Sequence, residues 1–113
     1  MTCLLTVASF DIEVETLAAM RQSGDAVTLL DVRENWEVEL CAIEGSLYIP
    51  LGQLPARLAE LPTDRPVVVI CHHGIRSAHA TAWLRGQGYG TCCNLSGGID
   101  AWARRVDPTM KVY

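Results

Sequence analysis

Short apolar runs alternate along this chain with segments whose apolar residues recur at helical spacing. The most continuous run is residues 66–70, a β-branched stretch typical of a strand that is covered on both faces. Similar runs predict five strands in all, at residues 9–12, 26–31, 47–49, 66–70 and 90–95. Helical spacing predicts five helices, at residues 13–22, 35–40, 54–61, 77–85 and 99–105. This alternation favours a three-layer α/β domain, in which helices flank a central, mostly parallel, five-stranded sheet.

The pattern also predicts which side chains share a helix face and which lie in the core. One face of the first helix is predicted to carry Val14, Leu17, Ala18 and Arg21. The core, or the packing between helices, is the expected place of Trp36, Trp83 and Trp102. Residues 106–113 have no clear period.

Length and charge narrow the class of protein. The 113 residues correspond to one domain, spanning 1–113 with its core at about 9–105, and half of them are hydrophobic. The net charge of −4 argues against nucleic acid or an anionic membrane as the main partner. An anionic substrate would therefore have to be attracted locally.

The cysteines and the start of the chain indicate a reducing compartment. The five cysteines are odd in number and fit no disulfide framework: Cys3, Cys41, Cys71, Cys92 and Cys93. Residues 1–8 are apolar but lack the basic region of a signal peptide, and no stretch is long enough to span a bilayer. We therefore expect a cytoplasmic protein with free thiols.

The candidate chemistry lies at residues 71–77, Cys-His-His-Gly-Ile-Arg-Ser, between the strand at 66–70 and the helix at 77–85. Such a junction, at the carboxyl end of a parallel strand, is where ligands bind in open α/β sheets. A tight turn into a helix N-terminus points N–H groups inward, so Cys71 should be biased toward the thiolate. Gly74 supplies backbone freedom, Arg76 offers a planar fork to an oxyanion, and Ser77 is a plausible N-cap. The residues suit a sulfur nucleophile that faces an anionic substrate.

Other polar residues have a structural and a functional interpretation. His72 and His73 beside Cys71 resemble metal ligands, but adjacent residues rarely point at one ion, so we expect no metal and two exposed, anion-steering side chains. Asp31 and Arg33 should lie at the same sheet edge as Cys71, where they pair with each other or support the loop from beneath. Cys92 and Cys93 point to opposite faces of a strand, so one is expected in the core, while a thiol near the loop could accept sulfur from Cys71.

Four segments, in order, resemble the single-domain rhodanese family of sulfurtransferases over about residues 9–105. They are Leu-Leu-Asp-Val-Arg-Glu at 29–34, Ile-Glu-Gly-Ser at 43–46 with Ile-Pro-Leu at 49–51, the loop at 71–77, and Leu-Ser-Gly-Gly-Ile-Asp-Ala-Trp at 95–102. One departure is Cys41-Ala42, where family members often have Gly-His, which puts local packing in doubt more than chemistry.

The resemblance implies that Cys71 takes a sulfane sulfur from an anionic donor such as thiosulfate, holds it as a persulfide, and passes it to cyanide or a thiol. The N–H groups of residues 72–76 would cradle the persulfide and Arg76 would contact the donor, so the predicted substrate-binding residues are His72, His73, Gly74, Ile75, Arg76 and Ser77. No cofactor is implied. A dithiol such as thioredoxin, or a sulfur-carrier protein, is the implied cellular acceptor.

Two alternatives stay open. Cysteine-dependent phosphatases and arsenate reductases have five residues between cysteine and arginine, whereas this loop has four, and a tighter ring suits one sulfur atom better than a phosphoryl group. Rhodanese-like domains also serve as non-catalytic interaction or regulatory modules, but those typically lack the cysteine that this chain retains.

Overall fold

The computed structural model describes residues 9–113 and contains a five-stranded sheet between two layers of helix. The strands are β1 (Asp11–Ile12), β2 (Thr28–Asp31), β3 (Leu47–Tyr48), β4 (Val67–Ile70) and β5 (Cys92–Leu95). The helices are α1 (Val14–Gln22), α2 (Asn35–Leu40), α3 (Ile75–Gly86) and α4 (Gly98–Arg105). All four strand pairings are parallel, in the order β1-β5-β4-β2-β3. The predicted α/β architecture is confirmed.

The sheet separates two apolar clusters. Helices α1 and α4 cover one face, where Leu17 and Trp102 pack against Val68 and Leu95. Helix α3 covers the other face, where Leu84 packs with Val67 and Val69. Because successive strand residues point to opposite faces, the sheet needs apolar residues at every position of β4, which explains its unbroken Val-Val-Val-Ile sequence.

Cys92 and Cys93 follow the same rule. They lie in opposite clusters, as their adjacency predicts, but both are buried because both faces of the sheet are covered. We expected one of the two in the core, and the structure places both there. Cys3 lies outside the described residues, and Cys41 is half-buried.

One predicted helix is wrong. Residues 54–61 do not form an α-helix; two 3-10 turns, Leu51–Gln53 and Leu58–Glu60, flank a non-helical turn. The bonds around the first turn run three residues back, from the N–H of Leu54 to the carbonyl of Leu51. Pro55 has no N–H to extend them, and so short a segment gains too few hydrogen bonds to offset helix nucleation. Leu54 and Leu61 are nonetheless buried.

Three smaller expectations also fail. Helix α3 begins at Ile75 rather than at residue 77. In α1 the buried positions are Val14, Leu17 and Met20, whereas Arg21 is exposed and donates to the carbonyl of Glu44. The side chain of Trp36 is not in the core, since the residue is 59% exposed. Among the described residues, none of the helices has the length and apolar character needed to cross a bilayer.

Candidate active site

The loop that follows β4 lies at the sheet edge where the parallel strands end. Ile70 of β4 pairs with Asp31 of β2, so Cys71 leaves the sheet beside Val32, and Arg33 follows one residue further along the chain. On the other flank, Val69 pairs with Asn94 of β5, and Asn94 pairs with Asp11 of β1. The predicted meeting of Asp31 and Arg33 with the Cys71 edge is confirmed.

The sulfur of Cys71 sits at the N-terminal end of α3. Its Sγ accepts a hydrogen bond from the Gly74 N–H at 3.0 Å and lies 3.2 Å from Ser77 Oγ. The residue is only 1% exposed. An N–H donor and the positive end of a twelve-residue helix both favour an anionic sulfur. The remaining N–H groups of the predicted cradle, at residues 72–76, stay a prediction as persulfide ligands.

Two glycines allow the loop to pack backbone against backbone. Gly74, the N-cap of α3, has φ +101°, so the helix starts at Ile75 and Ser77 lies inside its first turn rather than at its cap. Gly98 has φ +62°, and a Cβ there would lie 2.5 Å from the carbonyl oxygens of Cys71 and His72. These carbonyls accept hydrogen bonds from the N–H groups of Ile99 and Asp100, at 2.9 and 3.0 Å. The turn at Gly97 and Gly98 therefore supports the Cys71 loop through direct backbone contacts.

Arg76 is held by an acidic partner that the sequence analysis did not identify. Its Nη1 and Nη2 donate to the two carboxylate oxygens of Glu37 on α2, at 2.7 and 2.8 Å. This hydrogen bonding, working against burial, lowers the pKa of Glu37 to about 2 and raises the pKa of Arg76. The fork is thus occupied by protein, and the predicted contact of Arg76 with an oxyanion stays a prediction that would use its other N–H groups.

Arg33 is a fully buried side chain with protein partners in several directions. It donates to both carboxylate oxygens of Asp31, at 2.9 and 2.7 Å, and to the carbonyl of Cys41 at 2.7 Å. Burial opposes its charge, but the hydrogen bonds to Asp31 and Tyr113 leave the pKa of Arg33 raised. The predicted pairing with Asp31 is confirmed, and the contacts give Arg33 a structural role at the sheet edge.

Tyr113, in the tail without a clear period, closes the outer side of the site. Its hydroxyl accepts from Arg33 Nη1 at 3.0 Å and donates to Glu37 at 2.8 Å. Its ring stacks on His72, with centroids 3.9 Å apart, and meets the ring of Trp36 edge-on. Burial raises the pKa of Tyr113 to about 12, so the phenol stays protonated at neutral pH. We call Arg33, Glu37, Arg76 and Tyr113 the outer network.

The two histidines differ in exposure. His73 is exposed, as predicted, whereas His72 lies between the rings of His73 and Tyr113 and donates from Nε2 to the Tyr113 carbonyl at 2.7 Å. Potential ligand atoms of His72, His73 and Asp100 lie within 4.8 Å of one another. His72 Nε2 is already bonded to Tyr113, and Asp100 is engaged by Arg104 at 3.1 Å. The absence of a metal role stays a prediction.

The thiols of β5 have none of the features that activate Cys71. Burial raises the pKa of Cys92 to about 12 and that of Cys93 to about 11. Both therefore stay protonated at neutral pH, and neither is a nucleophile.

A comparison with protein-family models matches residues 13–105, which is most of the chain, to the rhodanese-like domain. The chain belongs to the rhodanese-like domain family. Cys71 and its loop thus occupy a rhodanese-like fold, and the relatives support an enzyme of this family that acts in sulfur transfer.

Individual relatives agree with this assignment. A sulfurtransferase from Allochromatium vinosum is 42% identical over 100 residues, which cover 88% of this chain and 94% of the relative. A putative sulfur carrier protein from Bacillus subtilis, YrkF, is 32% identical over 97 residues, 86% of this chain and 52% of that protein. Among solved structures, a rhodanese-related protein from Thermoplasma volcanium has a TM-score of 0.78 at 33% identity, covering 87% of this chain and 94% of that one.

Within this rhodanese-like site, the sequence analysis missed three contacts of the loop. Glu37 lies in a short helix whose other members are mostly exposed, so its burial has no local signal. Tyr113 reaches Arg33 across 80 positions, and Asn94, which contacts Ser77 and Gly74, lies in an apolar strand. A polar residue inside such a strand is the one signal that could have been read, because buried polar groups need partners.

Proposed function

We propose that this protein is a sulfurtransferase that carries sulfane sulfur as a persulfide on Cys71. The observation that supports it best is the sulfur itself, held at the start of α3 by the Gly74 N–H. The Gly74 N–H and the positive end of α3 would both stabilise a thiolate at this position, and the thiolate is the nucleophile.

The reaction has two balanced steps. The Cys71 thiolate attacks the outer sulfur of a donor such as thiosulfate, an S–S bond forms, and sulfite leaves with the electron pair of the broken bond. Cyanide or a thiolate then attacks the outer sulfur of the persulfide, and the Cys71 thiolate is released. Because the enzyme stores the sulfur covalently between the steps, we expect ping-pong kinetics and no cofactor.

The binding residues are proposed as follows. The N–H groups of residues 72–76 would hold the outer sulfur, with His72, His73, Ile75 and Ser77 around it. Arg76 keeps its positive charge near Cys71, because its hydrogen bonds to Glu37, with a smaller contribution from the Cys71 sulfur, raise its pKa. That charge would attract the donor anion locally, although the chain as a whole carries −4.

A protein thiol or a sulfur-carrier protein is the proposed cellular acceptor. The support is similarity to relatives whose names include sulfurtransferase and putative sulfur carrier protein. We place the reaction in the cytoplasm, because a catalytic thiol must be kept reduced between turnovers. Phosphatase chemistry is less favoured, because four residues between Cys71 and Arg76 leave little room for a phosphoryl group.

Intact-mass measurement tests the proposal. The reduced protein should gain one sulfur atom on treatment with thiosulfate and lose it on treatment with cyanide. Cys71→Ser should abolish the gain, whereas the control Cys41→Ser should retain it. A folded, reduced protein that gains no sulfur from thiosulfate or from a persulfide donor such as glutathione persulfide would contradict the proposal and favour a binding module.

A further inference from the structure

A chain of hydrogen bonds, buried except at its Asp11 end, reaches Cys71 from the side opposite the outer network. The Ser77 hydroxyl lies 3.2 Å from Cys71 Sγ and also contacts Asn94 Oδ1. Asn94 Nδ2 donates to Asp11 Oδ1 at 2.9 Å and to the Gly74 carbonyl at 3.2 Å. Ser77 and Asn94 are both buried. We call Asp11, Asn94 and Ser77 the inner relay.

The direction of the hydrogen bonds in the inner relay follows from its partners. The Asp11 carboxylate and the Gly74 carbonyl can only accept, so the amide nitrogen of Asn94 must face them. Its amide oxygen is thereby left facing Ser77, where it accepts the hydroxyl proton. A hydroxyl has one proton, so Ser77 cannot donate to Asn94 and to Cys71 at the same time.

Two states of the relay result. When Cys71 is a thiol, its S–H donates to Ser77 Oγ and the hydroxyl donates to Asn94. When Cys71 is a thiolate, the hydroxyl turns to the sulfur, and the buried oxygen of Asn94 loses its donor. Losing a partner is unfavourable for a buried acceptor, so Asn94 opposes the turn that stabilises the thiolate.

We infer that Asn94, oriented by Asp11, is a positioning residue that sets which way the Ser77 hydroxyl points and thereby how readily Cys71 becomes a thiolate. The inference deepens the proposed function, since it assigns the control of the same nucleophile. It concerns only the thiol and thiolate of Cys71, however, and can be tested without any sulfur donor.

Other charged or titratable groups face the site from each neighbouring element. Arg76 of α3 is paired with Glu37 of α2, and Arg33 is paired with Asp31 at the end of β2. The remaining groups are His72 and His73 of the loop, Asp100 of α4, and Tyr113 of the tail. These contacts lie outside the inner relay, so variants of the relay leave them in place.

The experiment measures the rate at which iodoacetamide alkylates Cys71 between pH 5 and 10, in the full-length protein, with the modified peptide identified by mass. The midpoint of the rate against pH reports the thiol–thiolate equilibrium, whereas the plateau at high pH reports access to the buried sulfur. A merely structural role would change the plateau and leave the midpoint unmoved.

Opposite shifts are expected for the two ends of the relay. Ser77→Ala removes the donor to the thiolate, so the rate below the midpoint should fall about tenfold and the midpoint should move to higher pH. Asn94→Leu removes the competing acceptor, and the midpoint should move to lower pH. Asp11→Ala allows the Asn94 amide to rotate by about 180°. The midpoint should then move to lower pH by a smaller step, and the alkylation rate below the midpoint should be about threefold higher.

Thr81→Val is the matched control. Thr81 is buried one turn further along α3, where its hydroxyl donates to the Ser77 carbonyl at 2.7 Å, so the variant should leave the midpoint unchanged. Asp11 is exposed, and its variant carries the test if Asn94→Leu does not fold.

Unchanged midpoints in both Asp11→Ala and Asn94→Leu, or shifts in the same direction as Ser77→Ala, would overturn the inference. A protein that shows the expected shifts but takes no sulfur from any donor would keep the inference and contradict the proposed function.

Discussion

The two sides of the Cys71 loop are supported by different kinds of interaction. On the outer side, two arginines, a carboxylate and a phenol hold the loop through charged hydrogen bonds, with Glu37 between Arg76 and Tyr113. On the inner side, a hydroxyl and an amide contact the sulfur and the loop, and the nearest charge is Asp11 at the end of the relay. The outer network therefore fixes where the loop lies, while the inner relay acts on the sulfur itself.

The difference has a physical reason. A charged group hydrogen-bonded to the sulfur would bias its protonation state permanently, whereas a hydroxyl can either donate to an anion or accept from a thiol. A carboxylate and guanidinium pair gives strong and directional bonds, which suits the outer side, where Glu37 holds Arg76 in place. Loop placement and sulfur chemistry can thus be disturbed separately.

The largest effect is expected from Gly98→Ala, which disturbs both sides at once. The new Cβ would meet two loop carbonyl oxygens at 2.5 Å, in a left-handed conformation that alanine disfavours. Strain and overpacking together should lower the free energy of unfolding by roughly 4 kcal/mol. Urea denaturation measures this, with Gly86→Ala as the control, because a Cβ at Gly86 meets open space. Equal stability of the two variants would contradict direct support of the loop by Gly98.

Glu37→Ala should break the outer side alone. It leaves Arg76 and the Tyr113 hydroxyl without a partner, and we expect a loss of about 2.5 kcal/mol in the free energy of unfolding, less than for a fully buried pair because the Arg76 side chain is 36% exposed. The control Glu60→Ala removes an exposed pair with Arg57 and should have no measurable effect. If both variants were equally stable, the burial of the pair would have no consequence.

A smaller effect is expected in the pH dependence of stability, to which Glu37 of the outer network contributes. The folded-state pKa of Glu37, about 2, is below its unfolded value of about 4.3. The ionised carboxylate therefore stabilises the fold fully above about pH 4.3, and this stabilisation is lost as the pH falls toward 2. Between pH 5 and 3 the wild-type protein should therefore lose about 2 kcal/mol of its free energy of unfolding through Glu37, and Glu37→Gln should not show this loss. Urea denaturation at both pH values measures the difference. The exposed Glu44→Gln should keep the wild-type slope, and an unchanged slope in Glu37→Gln would argue against the ion pair.

The smallest effect is expected from Tyr113→Phe. It removes the hydroxyl between Arg33 and Glu37 but keeps the ring that stacks on His72. We expect a loss of about 1 kcal/mol in the free energy of unfolding. The midpoint of Cys71 alkylation should stay at the wild-type pH, since the Tyr113 hydroxyl bonds to Arg33 and Glu37 and not to the sulfur. A shifted midpoint would show that the two sides are not separable.

What the sequence predicts well in this chain is local. The unbroken apolar run of β4, the turn with Gly74 and the helix after it could be placed from neighbouring residues, and together they put Cys71 at the sheet edge. Ser77 was misplaced as a cap because a glycine three positions earlier can start the helix with a positive φ, a choice that the pattern alone does not decide.

The contacts around the sulfur could not be predicted in this way. Asn94 bonds to Asp11 across 83 positions and to Ser77 across 17, and Tyr113 bonds to Glu37 across 76. Each partner is an ordinary polar residue, and Asp11 and Asn94 become neighbours only once the parallel register places β1 beside β5. The same holds for Arg76, whose partner Glu37 lies 39 positions away in the sequence.

The register of β4 and β5 also determines where a stored sulfur can go. Cys92 pairs with Val67 and Cys93 with Val68, at the opposite end of β4 from Cys71. At about 3.3 Å per residue, the two thiols lie roughly 10 Å or more from Cys71 along the sheet, well beyond the separation of bridged cysteines. Neither can take over the sulfur or form an internal disulfide. Under the proposed function, the thiols of β5 therefore do not limit the lifetime of the loaded state, and an external acceptor can set that lifetime through its concentration.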